Sequence, residues 1–237
     1  DAALASAIRS KRAGGSGDGL LGRLTELGDA HGGLTDEEIR NELTHAFMAG
    51  WTTVAAAMMW TCHLLGRHPA VADTLRAEAA DVLGGRAPTS ADVELTPYNR
   101  MVVDEVLRLY PPLWVGARSP LEDDQIGGYH LPAGAFVNYS SYLTHRHPDY
   151  WTNPEVFDPQ RWSAERGEPR SPYAYLPFSY GPRSCLGEDM GRTALRLFAP
   201  MLVQRYRIST VEEHPVEHTL GITISSRHGV KIVLSPA

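Results

Sequence analysis

The chain has 237 residues, a formal net charge of −6, 43% hydrophobic residues and 21% charged residues. That balance supports a sizeable buried core; it excludes a disordered tail and a strongly basic nucleic-acid binder. The most apolar stretch, Ala46 to Leu65, is broken by Trp51-Thr52-Thr53, Thr61 and His63, so it reads as a core helix rather than a membrane span. Two cysteines, Cys62 and Cys185, are too few for a disulfide framework, and a reducing, cytoplasmic setting is expected. The opening Asp1-Ala2-Ala3 is neither a start methionine nor a signal peptide and reads as a chain entered partway.

The residues from Asp1 to Arg12 read as the end of a helix, and Gly14 to Gly19 as a loop by composition. A short amphipathic helix is predicted over Leu20 to Leu27, broken at His31-Gly32-Gly33. Thr35 with Glu38 three positions on is a capping-box signature, and Asp36 and Glu37 suit the first turn. The helix opened there runs without proline to about His63, long enough to cross a domain. Further helices are predicted over Pro69 to Leu83, ended by Gly84-Gly85, and over Pro97 to Leu109, stopped by Pro111-Pro112. Gly127-Gly128 supplies the turn of a hairpin region that includes Tyr129 to Gly134. From His147 to Arg170 there is no clear period, only proline, tryptophan and charge, which suggests an ordered meander. Leu186 to Tyr206 is helical, with a kink or interruption expected at Pro200. Gly221 to Leu234 alternates as a closing hairpin turning at His228-Gly229. The whole is mainly α with a minor β part.

The chemistry-bearing stretch is Phe178-Ser179-Tyr180-Gly181-Pro182-Arg183-Ser184-Cys185-Leu186-Gly187. A thiolate ligand needs its charge stabilised, and a loop that delivers cysteine to a helix N-terminus does so through the free N–H groups there. Gly181 permits a tight turn and Gly187 a close approach of a flat ring to the backbone. Phe178 can shield the sulfur, and Arg183 can pair with an anionic group. An isolated C-x-G would be an inert cysteine beside a loop. The fixed spacing of Phe178, Gly181, Arg183, Cys185 and Gly187 resembles the haem-binding loop of the cytochrome P-450 family, F-x-x-G-x-R-x-C-x-G. Cys62, among Trp60, Leu64 and Leu65, reads instead as a small packing residue.

Three more segments fall in the family's order. Glu105-Val106-Leu107-Arg108 is an E-x-x-R helix pair, alone a weak signal, and Arg161 in Pro159-Gln160-Arg161-Trp162 matches the later arginine that joins it. The resemblance implies a buried cluster of Glu105, Arg108 and Arg161 that specifies geometry. Ala49-Gly50-Trp51-Thr52-Thr53 is similar to the family's oxygen-site helix, whose pattern is [AG]-G-x-[DE]-T. Gly50 fits the groove and Thr53 the alcohol position, but Thr52 stands where the family has an acid. A hydroxyl can order water or bond an oxygen, yet it cannot act as a carboxylate does at neutral pH; backbone-bonded packing is the alternative role for both threonines. Arg118 and His145 match segments that contact haem propionates in the family, solvated surface positions being the alternative. The other histidines lack metal-ligand spacing.

The resemblance therefore implies the C-terminal, haem-holding portion of one P-450-type domain over residues 1–237, similar to soluble bacterial members, with the family's N-terminal portion lying outside it. It implies haem b (iron protoporphyrin IX) with Cys185 as the metal ligand, and Ala49 beside the cofactor. The implied activity is a secondary-metabolism mono-oxygenase, hydroxylating or epoxidising a lipophilic small molecule with O2 and two electrons. His45, Met48, Leu113, Trp114, Val115 and Ile222 (or Thr223) are the candidate pocket lining. A ferredoxin or flavodoxin with its reductase is the implied electron source, since no flavin or iron–sulfur motif occurs in the chain. Arg192 and Arg196 form either a docking patch for such a partner or a plain solvated face. The missing acid leaves open a peroxide-using or non-redox haem-thiolate enzyme, and beyond that a non-catalytic haem-binding protein.

Overall fold

The computed structural model describes residues 2–15, 19–30, 33–166 and 171–237. Contacts divide the chain into two compact units, Asp1–Thr52 and Thr53–Ala237. The first holds α1 (Ala2–Arg12), α2 (Leu20–Ala30) and the opening turns of α3 (Asp36–Arg67). Its buried anchors are Ile8 and Ile39. The capping box forms as expected: Thr35 N donates to Glu38 Oε2 at 2.8 Å, and Glu38 N donates to Thr35 Oγ1 at 3.2 Å. Arg12 ties α1 to this start, with Nε donating to Asp36 Oδ1 at 2.6 Å and Nη2 to the Leu34 carbonyl at 2.9 Å. The predicted break at His31-Gly32 lies outside the described residues.

The second unit packs the rest of α3 with α4 (Pro69–Leu83), α5 (Pro97–Leu109) and α7 (Glu188–Arg205). Trp60, Leu65, Leu75, Val102, Val106 and Val203 form the centre of its core. α4 ends at Gly84 in the left-handed conformation that glycine adopts without penalty. No local side chain caps α5. Its first amides instead donate to a carboxylate from α4, Tyr98 N to Glu78 Oε1 at 2.7 Å and Asn99 N to Glu78 Oε2 at 2.8 Å. The helix ends at Leu109, just before Pro111-Pro112, and is buried on almost every side from Val102 onward.

Among the described residues, four small antiparallel ribbons accompany these helices. β1 (Gly116–Arg118) pairs with β4 (Val137–Tyr139), and β2 (Asp124–Ile126) with β3 (Tyr129–Leu131). Gly127 and Gly128 take φ of 58° and 86°, the paired positive values of a two-residue hairpin turn. A short α6 (Ser141–Thr144) follows β4, and the expected meander is a run of turns with one 3-10 turn at Pro159–Trp162; residues 167–170 of it lie outside the described residues.

Two expectations are corrected. Of the kink or interruption expected at Pro200, the interruption does not occur: α7 runs through it. Proline deprives the carbonyl four residues back of its helical partner, and here Asn99 Nδ2 replaces it, donating to the Arg196 carbonyl at 2.7 Å. The closing hairpin at His228-Gly229 does not form either. β6 (His218–Leu220) pairs with β7 (Ile224–Ser226) across Gly221 to Thr223, while β8 (Ile232–Pro236) returns to β5 (Tyr206–Thr210). Alternation marks strands but does not choose their partners.

Candidate haem-thiolate site

The cysteine loop is held from both ends. At its start, Leu176 N donates to His145 Nε2 at 2.8 Å, and Ser141 Oγ donates to the Leu176 carbonyl at 3.2 Å. Ser179 and Gly181 then adopt left-handed backbone angles, φ 66° and 74°. Cys185 N donates to the Phe178 carbonyl at 2.9 Å and closes the loop. Gly187 is the N-cap residue of α7, so Cys185 stands two positions before the N-cap, exposed. The free amides of the first turn are on its side of the helix. A Cβ at Gly187 would meet only Cys185 Sγ, at 3.8 Å. The protein's own packing does not demand glycine there; a flat group lying on the loop would.

Phe178 is half-buried against Ala57, Val103, Leu107 and Leu195. The Arg192 guanidinium carbon lies 4.9 Å from its ring centroid. Arg192 is in turn bound to Asp104 and, from Nε at 2.8 Å, to Glu188. Tyr175 Oη also donates to Asp104 Oδ1 at 3.0 Å. Burial, with Asp104 beside it, pushes the Tyr175 phenol well above its usual range. The sequence reading missed this Asp104–Tyr175–Arg192 arrangement, because its members are far apart in the chain and match no motif. It also removes Arg192 and Arg196 as a free basic patch: Arg196 is buried, bonded to the Val93 carbonyl and at 3.0 Å to Glu94.

Beneath the loop, Glu105 and Arg108 are fully buried and Arg161 nearly so. Arg108 donates from Nε to Glu105 Oε2 at 2.8 Å and from Nη2 to Oε1 at 2.9 Å. Glu105 Oε1 also accepts from Arg161 Nε at 2.8 Å and from Asp158 N at 2.9 Å, and Oε2 accepts from Trp162 Nε1 at 2.9 Å. The spare donors of both arginines go to meander carbonyls, including Arg108 to His145, Pro154 and Val156 and Arg161 to Thr152. Every charge in the cluster is thus paired and every fork occupied, the condition under which buried ions persist.

His145 belongs to this support. It is fully buried, with Nδ1 3.1 Å from the Arg108 carbonyl and Nε2 accepting from Leu176. Both ring nitrogens are taken by the main chain, so the expected propionate contact does not fit; the histidine ties α5 to the cysteine loop instead. Arg118, at the end of β1, is exposed, and no carboxylate among the described residues pairs with it. Arg183 is exposed on the 3-10 turn Gly181–Arg183.

The candidate pocket residues of the second unit come together. Trp114 Nε1 donates to the Gly221 carbonyl at 2.9 Å, and Ile224 N donates to the Pro112 carbonyl at 3.0 Å. Leu113, Trp114 and Val115 are thereby tied to the β6–β7 turn that carries Ile222; Leu113 and Ile222 are exposed. His45, Met48, Ala49, Gly50 and Thr52 lie on α3 in the first unit, all exposed except the half-buried Gly50. Thr53, half-buried, opens the second unit. Cys62 packs on α3 as expected, and burial pushes its thiol up to about 11.

A sequence profile described as Cytochrome P450 matches residues 18–231. The chain belongs to the cytochrome P450 family. Among its relatives are two proteins of Streptomyces melanosporofaciens. Cyclooctatin synthase is 38% identical over 84% of this chain and 43% of its own length; cyclooctat-9-en-7-ol 5-monooxygenase is 35% identical over 86% and 45%. The cytochrome P450DA haem domain superposes with a TM-score of 0.90 at 31% identity, over 99% of this chain and 53% of that one. Cyanobacterial CYP120A1, solved with retinoic acid bound, gives 0.91 at 28%, over 100% and 55%. The chain therefore has the P450 fold, and it spans less than half the length of the two Streptomyces relatives, matching the C-terminal part of P450 proteins. The family's cofactor is haem. Among the described residues no helix is long and apolar enough to cross a membrane, and no cluster of His, Cys, Asp and Glu could hold a bare metal ion.

Proposed function

We propose that this chain is the haem-holding, C-terminal portion of a single P450 domain in a haem-thiolate mono-oxygenase. The observation that carries the reading is the loop that presents Cys185, exposed, to the N-terminus of α7, with only glycine at position 187. Cys185 is the iron ligand, and the first-turn amides of α7 favour its thiolate form. Phe178 keeps water from the sulfur. Arg118 and Arg183 hold the propionates of haem b. When bound, the haem supplies oxygen activation, with O2 and two electrons as co-reactants. Gly50 leaves room on α3, and the Thr53 hydroxyl orders a water there by hydrogen bonding.

Leu113, Trp114, Val115 and Ile222 line the substrate space. Their apolar character supports a lipophilic small molecule, as do the names of the two Streptomyces relatives and the retinoic acid held by CYP120A1. A ferredoxin or flavodoxin with its reductase delivers the electrons. The two free cysteines fit a reducing cytoplasm.

A second reading rests on Thr52, an alcohol where the family has an acid: direct use of peroxide, or a rearrangement without redox change. Product formation with hydrogen peroxide and no reductase would favour it over the oxygen-dependent reaction.

The test is the absorption spectrum of the haem-loaded, full-length protein, reduced under carbon monoxide, beside Cys185→Ala. A strongly red-shifted Soret band, lost in the variant, is expected. Haem binding without that shift would sink the thiolate assignment.

A further inference from the structure

β1 and β4 pair with Gly116 directly opposite Tyr139. The phenol lies across the glycine: a Cβ at position 116 would stand 2.3 Å from Tyr139 Cζ and Oη. From there Tyr139 Oη reaches Ser179 Oγ at 2.9 Å, inside the cysteine loop. The same Ser179 Oγ accepts from Arg118 Nη2 at 3.3 Å, while Arg118 Nη1 donates to the Ala117 carbonyl at 2.8 Å. The Arg118 guanidinium carbon also lies 5.3 Å from the Tyr139 ring centroid. Ser179 holds φ at 66°, a conformation that non-glycine residues adopt at a cost. A glycine would sit there with less strain but would bring no hydroxyl to join the two side chains.

We propose that Tyr139, acting through Ser179, is a positioning residue that aims Arg118 at an anionic carboxylate, on the reading above a haem propionate. An exposed arginine has many rotamers to lose on binding. Here one face is stacked on the Tyr139 ring and two N–H groups are engaged, so much of that freedom is gone before a ligand arrives. The remaining donors of the fork stay available, and no carboxylate among the described residues competes for them. Tyr139 contributes direction; Arg118 contributes the charge.

The proposal rests on the propionate reading of Arg118, and the test separates the two. The full-length protein would be loaded with haem or with haem dimethyl ester, whose propionates carry no charge. The rate of transfer to excess apomyoglobin would be followed for wild type, Tyr139→Phe and Arg118→Ala. Tyr139→Phe keeps the ring across Gly116 and removes only the hydroxyl. It is expected to speed haem loss roughly two- to tenfold, the worth of one hydrogen bond, and to leave loss of the ester unchanged. Arg118→Ala should show the same selectivity with a larger effect. If Tyr139→Phe speeds both probes equally, or neither, while Arg118→Ala remains selective, the role of Tyr139 is overturned and the Arg118 reading stands. If Arg118→Ala does not distinguish the probes, the propionate reading fails and the proposal falls with it.

Discussion

Gly116 and Gly181 are glycines for different reasons. Gly181 sits at φ 74° with nothing within 4 Å of a built Cβ, so its constraint is backbone conformation alone. Gly116 is constrained by a neighbour, the ring of Tyr139. Gly116→Ala is expected to destabilise the fold by about 1–3 kcal/mol, the usual cost of forcing an extra carbon into a packed contact. Urea unfolding would measure it, and adding Tyr139→Ala should recover part of the loss. No recovery would mean that the strain arises elsewhere on the ribbon. Sequence motifs marked Gly181 because it lies in the cysteine loop. They could not mark Gly116, whose requirement comes from a cross-strand partner.

α5 is the element on which the support of the cysteine loop turns. It buries a carboxylate and a guanidinium one turn apart, and Arg161 arrives from the meander to complete the set. Breaking such a cluster from one side costs more than the cluster contributes, because the remaining charges stay buried. Glu105→Gln removes the buried carboxylate charge to which Arg108 and Arg161 both donate and is expected to cost about 3–5 kcal/mol in chemical denaturation. A loss below about 1 kcal/mol, the range of exposed pairs, would show that the cluster is hydrated in solution. α7 carries the complementary lesson. Its proline was legible and its continuity was not, because the donor that satisfies the orphaned Arg196 carbonyl sits on α5, 97 positions away.

At the scale of the molecule, two buried histidines couple folding to protons. Burial pushes the His145 imidazole down to about 3 and His63 down to about 4. The neutral form of His145 is also the one its partners require, since Nε2 must accept from Leu176. Unfolded, each histidine titrates near pH ~6.5. Between that value and the folded pKa, the unfolded chain binds protons that the folded chain refuses. Stability is therefore fully present above pH ~6.5 and falls on acidification, by up to ~1.4 kcal/mol per pH unit for each histidine. Denaturation midpoints from about pH 7.5 to about pH 4.5 should fall less steeply for His145→Asn than for wild type. Parallel curves would mean that His145 is hydrated or charged in the folded state.

What the sequence determined by itself was local or carried by fixed spacing. The capping box at Thr35, the stop at Pro111-Pro112, the Gly127-Gly128 turn and the loop around Cys185 depend on neighbours a few residues apart, and turn chemistry and helical period make such signals readable. The partnership of Glu105, Arg108 and Arg161 was legible only through resemblance. Tertiary structure alone decided the rest. It sent β8 to β5, bound Arg192 to Asp104 across 88 positions, and turned His145 from a propionate candidate into a buried tie between α5 and the cysteine loop. In each case a polar group or strand edge had to be satisfied by something distant. The hydrogen-bonding requirement is visible in the residue type, but the identity of the partner is set by which elements the core packs side by side.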